Sequence, residues 1–84
     1  MESDLTLTLH VMEDSTDTAV HAILNVRGDH FESIGKARRR PTDPSLPVIG
    51  EELAIARALQ DLTAQVSESA NTKIEDFLKT DSLA

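Results

Sequence analysis

The sequence predicts an α+β fold, a three-stranded antiparallel meander with one long helix packed on one face and a short helix at the C-terminus. Two segments near the N-terminus alternate apolar and polar residues with a period of two, which indicates half-buried strands. A glycine-containing turn then leads into a third strand segment. From Val48 onward, apolar residues recur at helical spacing. The chain has 84 residues, which suffices for one domain.

The first predicted strand has apolar residues at alternate positions over Leu5–Val11. Such strict alternation is typical of a strand that buries one face. The polar segment Glu13–Asp17 predicts a turn, and a second strand alternates over Val20–Val26. If Glu13 faces Thr18 across this turn, every apolar alternate falls on one face. The expected pairs are then Leu7 with Leu24, Leu9 with Ala22, and Val11 with Val20.

The second hairpin is predicted at Gly28-Asp29, because glycine readily adopts the positive φ that a tight turn demands. This turn would set Arg27 opposite His30 and lead into a third strand over Phe31–Arg38. The small inward residues of that strand would let a helix approach closely. The expected pairs are Leu24 with Ser33, Ala22 with Gly35, and Val20 with Ala37.

Three prolines in the segment Arg39–Pro47 predict an irregular loop before the helix. The helix is expected to begin between Val48 and Gly50, with Glu51 and Glu52 near the positive end of its dipole. The stripe expected to pack on the sheet consists of Val48, Ile55, Leu59, Leu62 and Val66.

Helical character weakens over Ser67–Ser69, so the apolar residues that follow predict a separate short helix, capped by Asn71 or Thr72. Its apolar side, with Ile74 and Phe77, would dock on the long helix near Leu53 and Ala56 or meet a second subunit, docking being the plainer choice. Residues 80–84 are expected to form a frayed tail, which leaves residues 1–79 as the single domain.

Composition limits the classes of function. The net charge of −7 argues against a broad phosphate-binding surface, because nucleic-acid affinity comes mainly from cations. Aromatic residues are too few to stack bases, and the absence of cysteine excludes disulfides and thiolate metal sites. No apolar run approaches the roughly 20 residues that span a bilayer, and no signal segment precedes the first strand. A cytoplasmic protein without membrane contact is therefore expected.

A domain of this length buries only about 60% of its unfolded surface and is marginal as a monomer. Unpaired sheet edges add to that problem, and a second copy can cover both edges and apolar surface. The sequence therefore predicts a symmetric homodimer, without indicating which face or edge forms it.

The sheet face away from the helix carries the candidate partner or dimer surface. The expected register sets His10 opposite His21, with Lys36 beside them, and Ile23 opposite Ile34. An apolar centre with a polar edge is typical of an interaction surface, although scattered surface aliphatics are also common. Two facing imidazoles could begin a metal site, but the register supplies no acidic third ligand. The candidate face comprises His10, Met12, His21, Ile23, Ile34 and Lys36.

Arg38, Arg39 and Arg40 form the main cationic cluster and are candidates for contact with an anion or RNA. The alternative is a solvated strand end whose arginines pair locally with Asp43, Glu51 or Glu52. We find no nucleophile motif, phosphate-binding loop or carboxylate pair, and the fold is expected to leave little concave space. The sequence therefore predicts a protein that is not an enzyme and needs no cofactor.

The segment Ala37–Leu62 contains A-R, then P-x-D, then P-x-I-G-x-E-L-x-x-A-R-A-L-x-D-L. In these elements the chain resembles a small actinobacterial family of unknown function with a double-stranded-RNA-binding-like fold. The resemblance spans Leu5–Phe77, is sharpest over Pro47–Leu62, and implies a βββα architecture. Double-stranded-RNA-binding domains also have an N-terminal helix and lysines where this chain has Glu51 and Glu52, so their RNA binding is not carried over.

The resemblance also extends in topology to basic ribosome-hibernation factors, which implies a role in stress or dormancy. The leading hypothesis is a non-enzymatic, dimeric interaction protein. The runner-up is a ribosome- or RNA-associated protein that uses Arg38, Arg39 and Arg40. A metal or small-ligand binder using His10 and His21 is a weaker alternative.

Overall fold

The computed structural model describes residues 1–40 and 46–83, with side chains described as far as Lys79. Three strands form one antiparallel sheet in the order β1-β2-β3, and one long helix follows. The predicted α+β fold class is therefore confirmed. The elements are β1 Leu7–Glu13, β2 Asp17–Val26, β3 Asp29–Arg38 and α1 Pro47–Leu83.

The first hairpin has the predicted register, with Glu13 opposite Thr18 and Leu9 opposite Ala22. Its turn is held by Asp14, whose Oδ1 accepts hydrogen bonds from the backbone N–H groups of Thr16 (2.9 Å) and Asp17 (2.7 Å). These bonds favour the ionised carboxylate and so lower the pKa of Asp14. Patterning and turn chemistry therefore specify the same register.

The predicted register of the second hairpin is wrong by two residues. Val26 lies opposite Asp29, so the turn residues are Arg27 and Gly28. Both have positive φ (47° and 88°), as a type I′ turn requires, and glycine occupies the second central position. A shift of two residues leaves every side chain on its predicted face but changes its partner. Ser33 now faces Ala22, Gly35 faces Val20 and Ala37 faces Thr18.

The helix packs against β2 and β3 through small side chains. Ala54 and Ala58 are fully buried and Leu62 nearly so. Their contact with the sheet is close because Gly35 has no side chain, and the Ser33 hydroxyl donates a 2.6 Å hydrogen bond to the carbonyl oxygen of Ala58. The expectation that small residues on β3 admit the helix is confirmed.

This close approach rotates the helix away from the predicted packing stripe. Ile55 and Leu59 are only half-buried, and Val48 remains 65% exposed. Alanines occupy the line of contact because the narrow space above Gly35 accommodates no larger side chain. Leu62 is the member of the predicted stripe that is buried in the contact, and Ile55 packs against it while half-buried.

The predicted separate C-terminal helix is wrong, because α1 continues without a break to Leu83. The weak region Ser67–Ser69 contains neither glycine nor proline, so nothing in it terminates a helix. Lys73 anchors this part of α1 to the second turn through a 2.7 Å ion pair with Asp29. A continuous helix cannot fold back on itself, so the expected docking of Ile74 and Phe77 near Leu53 does not occur, and all three side chains are exposed.

The helix also begins slightly earlier than predicted, at Pro47, a residue favoured in the first helical turn. Glu51 and Glu52 consequently lie beyond the first turn, which contains no acidic residue. Residues 41–45 of the predicted proline loop lie outside the described residues, as does Ala84. The rest of the predicted tail, residues 80–83, belongs to α1.

Candidate functional site

The sheet face that points away from α1 is called the outer face. It is built from alternate residues of the three strands, because successive side chains of a strand point to opposite sides. All six residues predicted for a partner or dimer surface lie on it. The outer face comprises Thr8, His10 and Met12 of β1, Asp17, Ala19, His21, Ile23 and Asn25 of β2, and His30, Glu32, Ile34, Lys36 and Arg38 of β3.

The structure brings these residues together in part as predicted. His10 lies opposite His21, as expected. The shifted second hairpin, however, places Ile34 opposite His21 and Lys36 opposite Ala19. The predicted pairs of His21 with Lys36 and of Ile23 with Ile34 are therefore wrong, although all these residues share the outer face.

The same shift brings an acidic residue to the centre of the face, where the sequence predicted none. Glu32 lies opposite Ile23, and its Oε2 is 3.6 Å from Nε2 of His21. Its Oε1 lies 2.7 Å from Nε2 of His30, and Nδ1 of His30 lies 2.6 Å from Oδ1 of Asn25. The hydrogen bond with His30 is the main cause of a lowered pKa at Glu32.

Glu32 and His30 are the functional candidates that sequence reasoning missed. The signal that could have found them is the glycine of the second turn, since a type I′ turn readily takes glycine as its second central residue. Placing Gly28 there sets the correct register and moves Glu32 beside His21. His30 thereby links two side chains of the face, since one ring nitrogen faces Asn25 and the other faces Glu32.

Apolar side chains lie among these polar groups. Ile34 is 56% exposed and Met12 is also exposed, while Ile23 is half-buried. This arrangement can bind a protein surface, because the aliphatic groups supply apolar contact and the neighbouring histidine–glutamate network supplies directed hydrogen bonds. Among the described residues, no group of three or more histidine, aspartate or glutamate side chains could hold a metal ion.

Two arginines of the predicted cluster contact the first hairpin, Arg38 at the start of β2 and Arg39 in the turn. Arg38 Nε lies 3.1 Å from Asp17 Oδ1, although the Arg38 side chain is largely exposed. Arg39 donates from its backbone N–H to the carbonyl oxygen of Thr16 (2.8 Å) and from Nη2 to that of Ser15 (3.3 Å). Arg38 therefore pairs with Asp17 and not with one of the acidic residues expected from the sequence. One of those expected partners, Asp43, lies outside the described residues.

A cavity of about 500 Å³ lies where the first turn, the end of β3 and the start of α1 meet. Its apolar lining includes Leu46, Ile49 and Leu53, and Thr18 and Arg39 contribute polar groups. The volume falls within the range of small-molecule sites. The expectation that the fold leaves little concave space is therefore wrong at this end of the sheet.

Within the described residues, no helix is both long enough and apolar enough to cross a membrane.

Comparison with known proteins identifies a family, similar sequences and a similar crystal structure. A family model described as Rv2632c-like matches residues 3–82. The uncharacterized protein Rv2632c of Mycobacterium tuberculosis is 38% identical over 65 residues, which are 77% of this chain and 70% of that protein. The uncharacterized protein Mb1767 of Mycobacterium bovis is 34% identical over 70 residues, which are 83% of this chain and 74% of that protein. The crystal structure of Rv2632c superposes with a TM-score of 0.83 at 33% identity and 90% coverage of both chains.

Proposed function

We propose that this chain, which belongs to the Rv2632c-like family, is a homodimeric, non-enzymatic interaction protein whose outer face binds a protein partner. The observation that carries the proposal is that aliphatic side chains of the outer face are exposed beside hydrogen-bonded polar groups. The helix packs on the opposite side of the sheet, and Ile34 and Met12 stay exposed beside a network that fixes the orientation of Glu32. Exposed aliphatic groups framed by pre-oriented polar groups are typical of a binding surface.

The ribosome or RNA alternative is supported by the exposure of Arg38 and by the predicted topological resemblance to ribosome-hibernation factors. Two observations weigh against it. Arg38 and Arg39 already contact the first turn, and the chain carries a net charge of −7. A surface that binds along a nucleic-acid backbone needs several cationic side chains, because they displace counterions from the phosphates. We therefore rank RNA binding below protein binding.

The cytoplasmic location, the role in stress or dormancy and the closer likeness to double-stranded-RNA-binding domains remain predictions. The alternative of a small-ligand site at His10 and His21 is favoured by Glu32, which adds a carboxylate that the sequence did not predict there. A protein partner explains more of the face, since Ile34 has no donor atom for a metal ion and still lies exposed there.

The test compares two isoleucines of equal exposure. Ile34 on the outer face and Ile74 on α1 are each 56% exposed, so Ile34→Glu and Ile74→Glu disturb folding to a similar, small degree. Each variant and the wild type serve as bait in lysates of growing and stressed cells, with retained proteins quantified. We expect Ile34→Glu to lose a partner that the wild type and Ile74→Glu retain. Equal retention by both variants would contradict the proposal.

A second arm addresses the arginines. Ribosome co-sedimentation is compared for the wild type and an Arg38→Glu, Arg40→Glu variant at low and moderate salt. Co-sedimentation that is lost in this variant and falls steeply with salt would move the RNA alternative ahead, because phosphate contacts are strongly salt-dependent. An apolar protein interface predicts little change with either perturbation.

A further inference from the structure

The two edges of the sheet are protected unequally, and β3 is the protected one. Arg57 Nη1 of α1 donates a 2.6 Å hydrogen bond to the carbonyl oxygen of Lys36, and Gln65 Nε2 donates a 2.6 Å bond to that of Glu32. An edge strand offers unpaired backbone groups to any other strand. Side chains of α1 occupy two such groups on β3, so this edge cannot readily accept another strand.

The edge of β1 has no such protection. In an antiparallel sheet, the N–H and C=O of one residue point to the same side, and the side alternates along the strand. Because Lys36 directs its carbonyl away from β2, its partner Ala19 directs its backbone groups toward β1. It follows that His10 and Met12 bond to β2, while Leu7, Leu9 and Val11 direct theirs away from the sheet. In the described part of the chain, no side chain bonds to these outward groups.

The inner face of β1 is also covered only in part, at Val11, which packs against the core. The helix packs on β2 and β3, so Val20 and Ala22 of β2 are fully buried. Leu7 and Leu9 lie opposite β2 on the same face, yet they remain 40% and 37% exposed. An open strand edge combined with exposed leucines promotes association, so natural proteins cover such edges.

We infer that β1 of a second copy covers this edge, in antiparallel pairing about a two-fold axis at Leu9. This inference names the interface of the homodimer and therefore rests on that part of the proposed function. The axis sets Leu9 opposite its own copy and Leu7 opposite Val11, so apolar residues meet along the inner face. The result is a continuous six-stranded sheet with both helices on one side.

Two features favour a second copy over an unrelated strand. The segment Leu7–Met12 contains no acidic residue, lysine or arginine, so two chains of net charge −7 can meet here without direct repulsion. The capped edge of β3 then stops further strand addition, so pairing closes at a dimer. Both outer faces would lie on the same side of the joined sheet, and a repetitive or dimeric partner would gain avidity.

The experiment uses a proline that removes only an outward N–H. In Leu9→Pro the missing donor faces away from β2, so the internal ladder is kept while pairing with a second copy loses a bond. Leu7→Lys is a second variant, because an edge lysine also opposes strand pairing. Leu53→Lys is the matched control, since Leu53 lies on α1 and is 44% exposed, close to the 40% of Leu7.

Sedimentation velocity at about 100 μM, where mass action favours assembly, gives the oligomeric state, and circular dichroism confirms folding. We expect about 18 kDa, twice 9.2 kDa, for the wild type and Leu53→Lys. Leu9→Pro and Leu7→Lys should be folded monomers of 9.2 kDa. In wild-type hydrogen exchange, which needs no variant, the amides of Leu7, Leu9 and Val11 should be protected at high concentration and exchange rapidly on dilution.

The possible failures are distinguishable. A wild type that stays at 9.2 kDa would overturn both the homodimer and this interface. A wild-type dimer with unprotected outward amides on β1, or one that survives Leu7→Lys, would overturn only the β1 interface. Neither result depends on whether Ile34 binds a protein partner, so the test of the outer face stays separate.

Discussion

Replacing Gly35 with alanine tests how the helix is held on the sheet. A Cβ at this position would lie 3.0 Å from Cα of Ala58 and closer still to the carbonyl oxygen of Ala54 and the N of Ala58. Carbon atoms normally approach to about 3.5–4.0 Å, so the helix must move by roughly 1 Å or more. All three atoms belong to the backbone of α1, and no change of rotamer can relieve the contact.

The magnitude follows from what that movement disrupts. Overpacking a tight core typically costs about 1–3 kcal/mol, and we expect the upper end, because Ala54 and Ala58 lose their burial together. A domain of this size has a total stability of about 4–12 kcal/mol. A loss of about 3 kcal/mol should lower Tm by roughly 12–24 °C.

The assay is urea and thermal denaturation followed by circular dichroism at one fixed protein concentration, since dimerisation makes stability concentration-dependent. Gly50→Ala is the control, because its Cβ would meet only the movable Thr18 hydroxyl, at 3.2 Å. Alanine also gains up to about 1 kcal/mol of helix propensity there, so a net change within about 1 kcal/mol is expected. Adding Ala58→Gly to Gly35→Ala should not restore stability, because the obstructing atoms remain. A Gly35→Ala protein as stable as the Gly50→Ala control would refute this account of the packing.

Other predictions concern the network, the helix end and the capped edge. The pKa of Glu32 is lowered from 4.5, chiefly by the hydrogen bond with His30, so ionised Glu32 stabilises the fold above pH 4.5 and this stabilisation is lost as the pH falls through the folded-state pKa. Urea denaturation at several acidic pH values should show that the free energy of unfolding falls less steeply with pH in Glu32→Gln than in the wild type. Equal pH dependence in the two proteins would contradict this. Phe77→Ala should change the free energy of unfolding by no more than about 0.5 kcal/mol, because Phe77 is exposed, and a larger loss would mean that this helix end is packed. Arg57→Ala combined with Gln65→Ala should uncap β3 and produce species larger than a dimer in sedimentation, whereas an unchanged distribution would show that these side chains do not block the edge.

Much of the fold could be predicted from the sequence because several local signals agree. In the first hairpin, the alternation of Leu7 and Leu9 and the polar turn at Asp14 specify one register, which the structure confirms. In the second hairpin, the pattern tolerates a shift of two residues, since either register keeps Leu24 and Val26 inward. Only the φ angles of the turn residues distinguish the two registers.

The end of α1 was mispredicted for a different reason. Ser67 and Ser69 lower helix propensity without ending a helix, and a distant contact from Lys73 to Asp29 supports the chain beyond them. The centre of the candidate site depended on the register of the second hairpin, so the register predicted from alternation missed the contact of Glu32 with His21. The residues of the outer face were nevertheless predictable, because strand alternation assigns faces without assigning partners.

The central claim is that the outer face binds a protein, and site-specific photocrosslinking tests it most directly. A photoreactive amino acid replaces Ile34 in one protein and Ile74 in the other, two positions of equal exposure. The account predicts a crosslinked protein of defined mass from position 34, absent at position 74. Equal crosslinking from both positions, or crosslinks from position 34 to RNA alone, would contradict it.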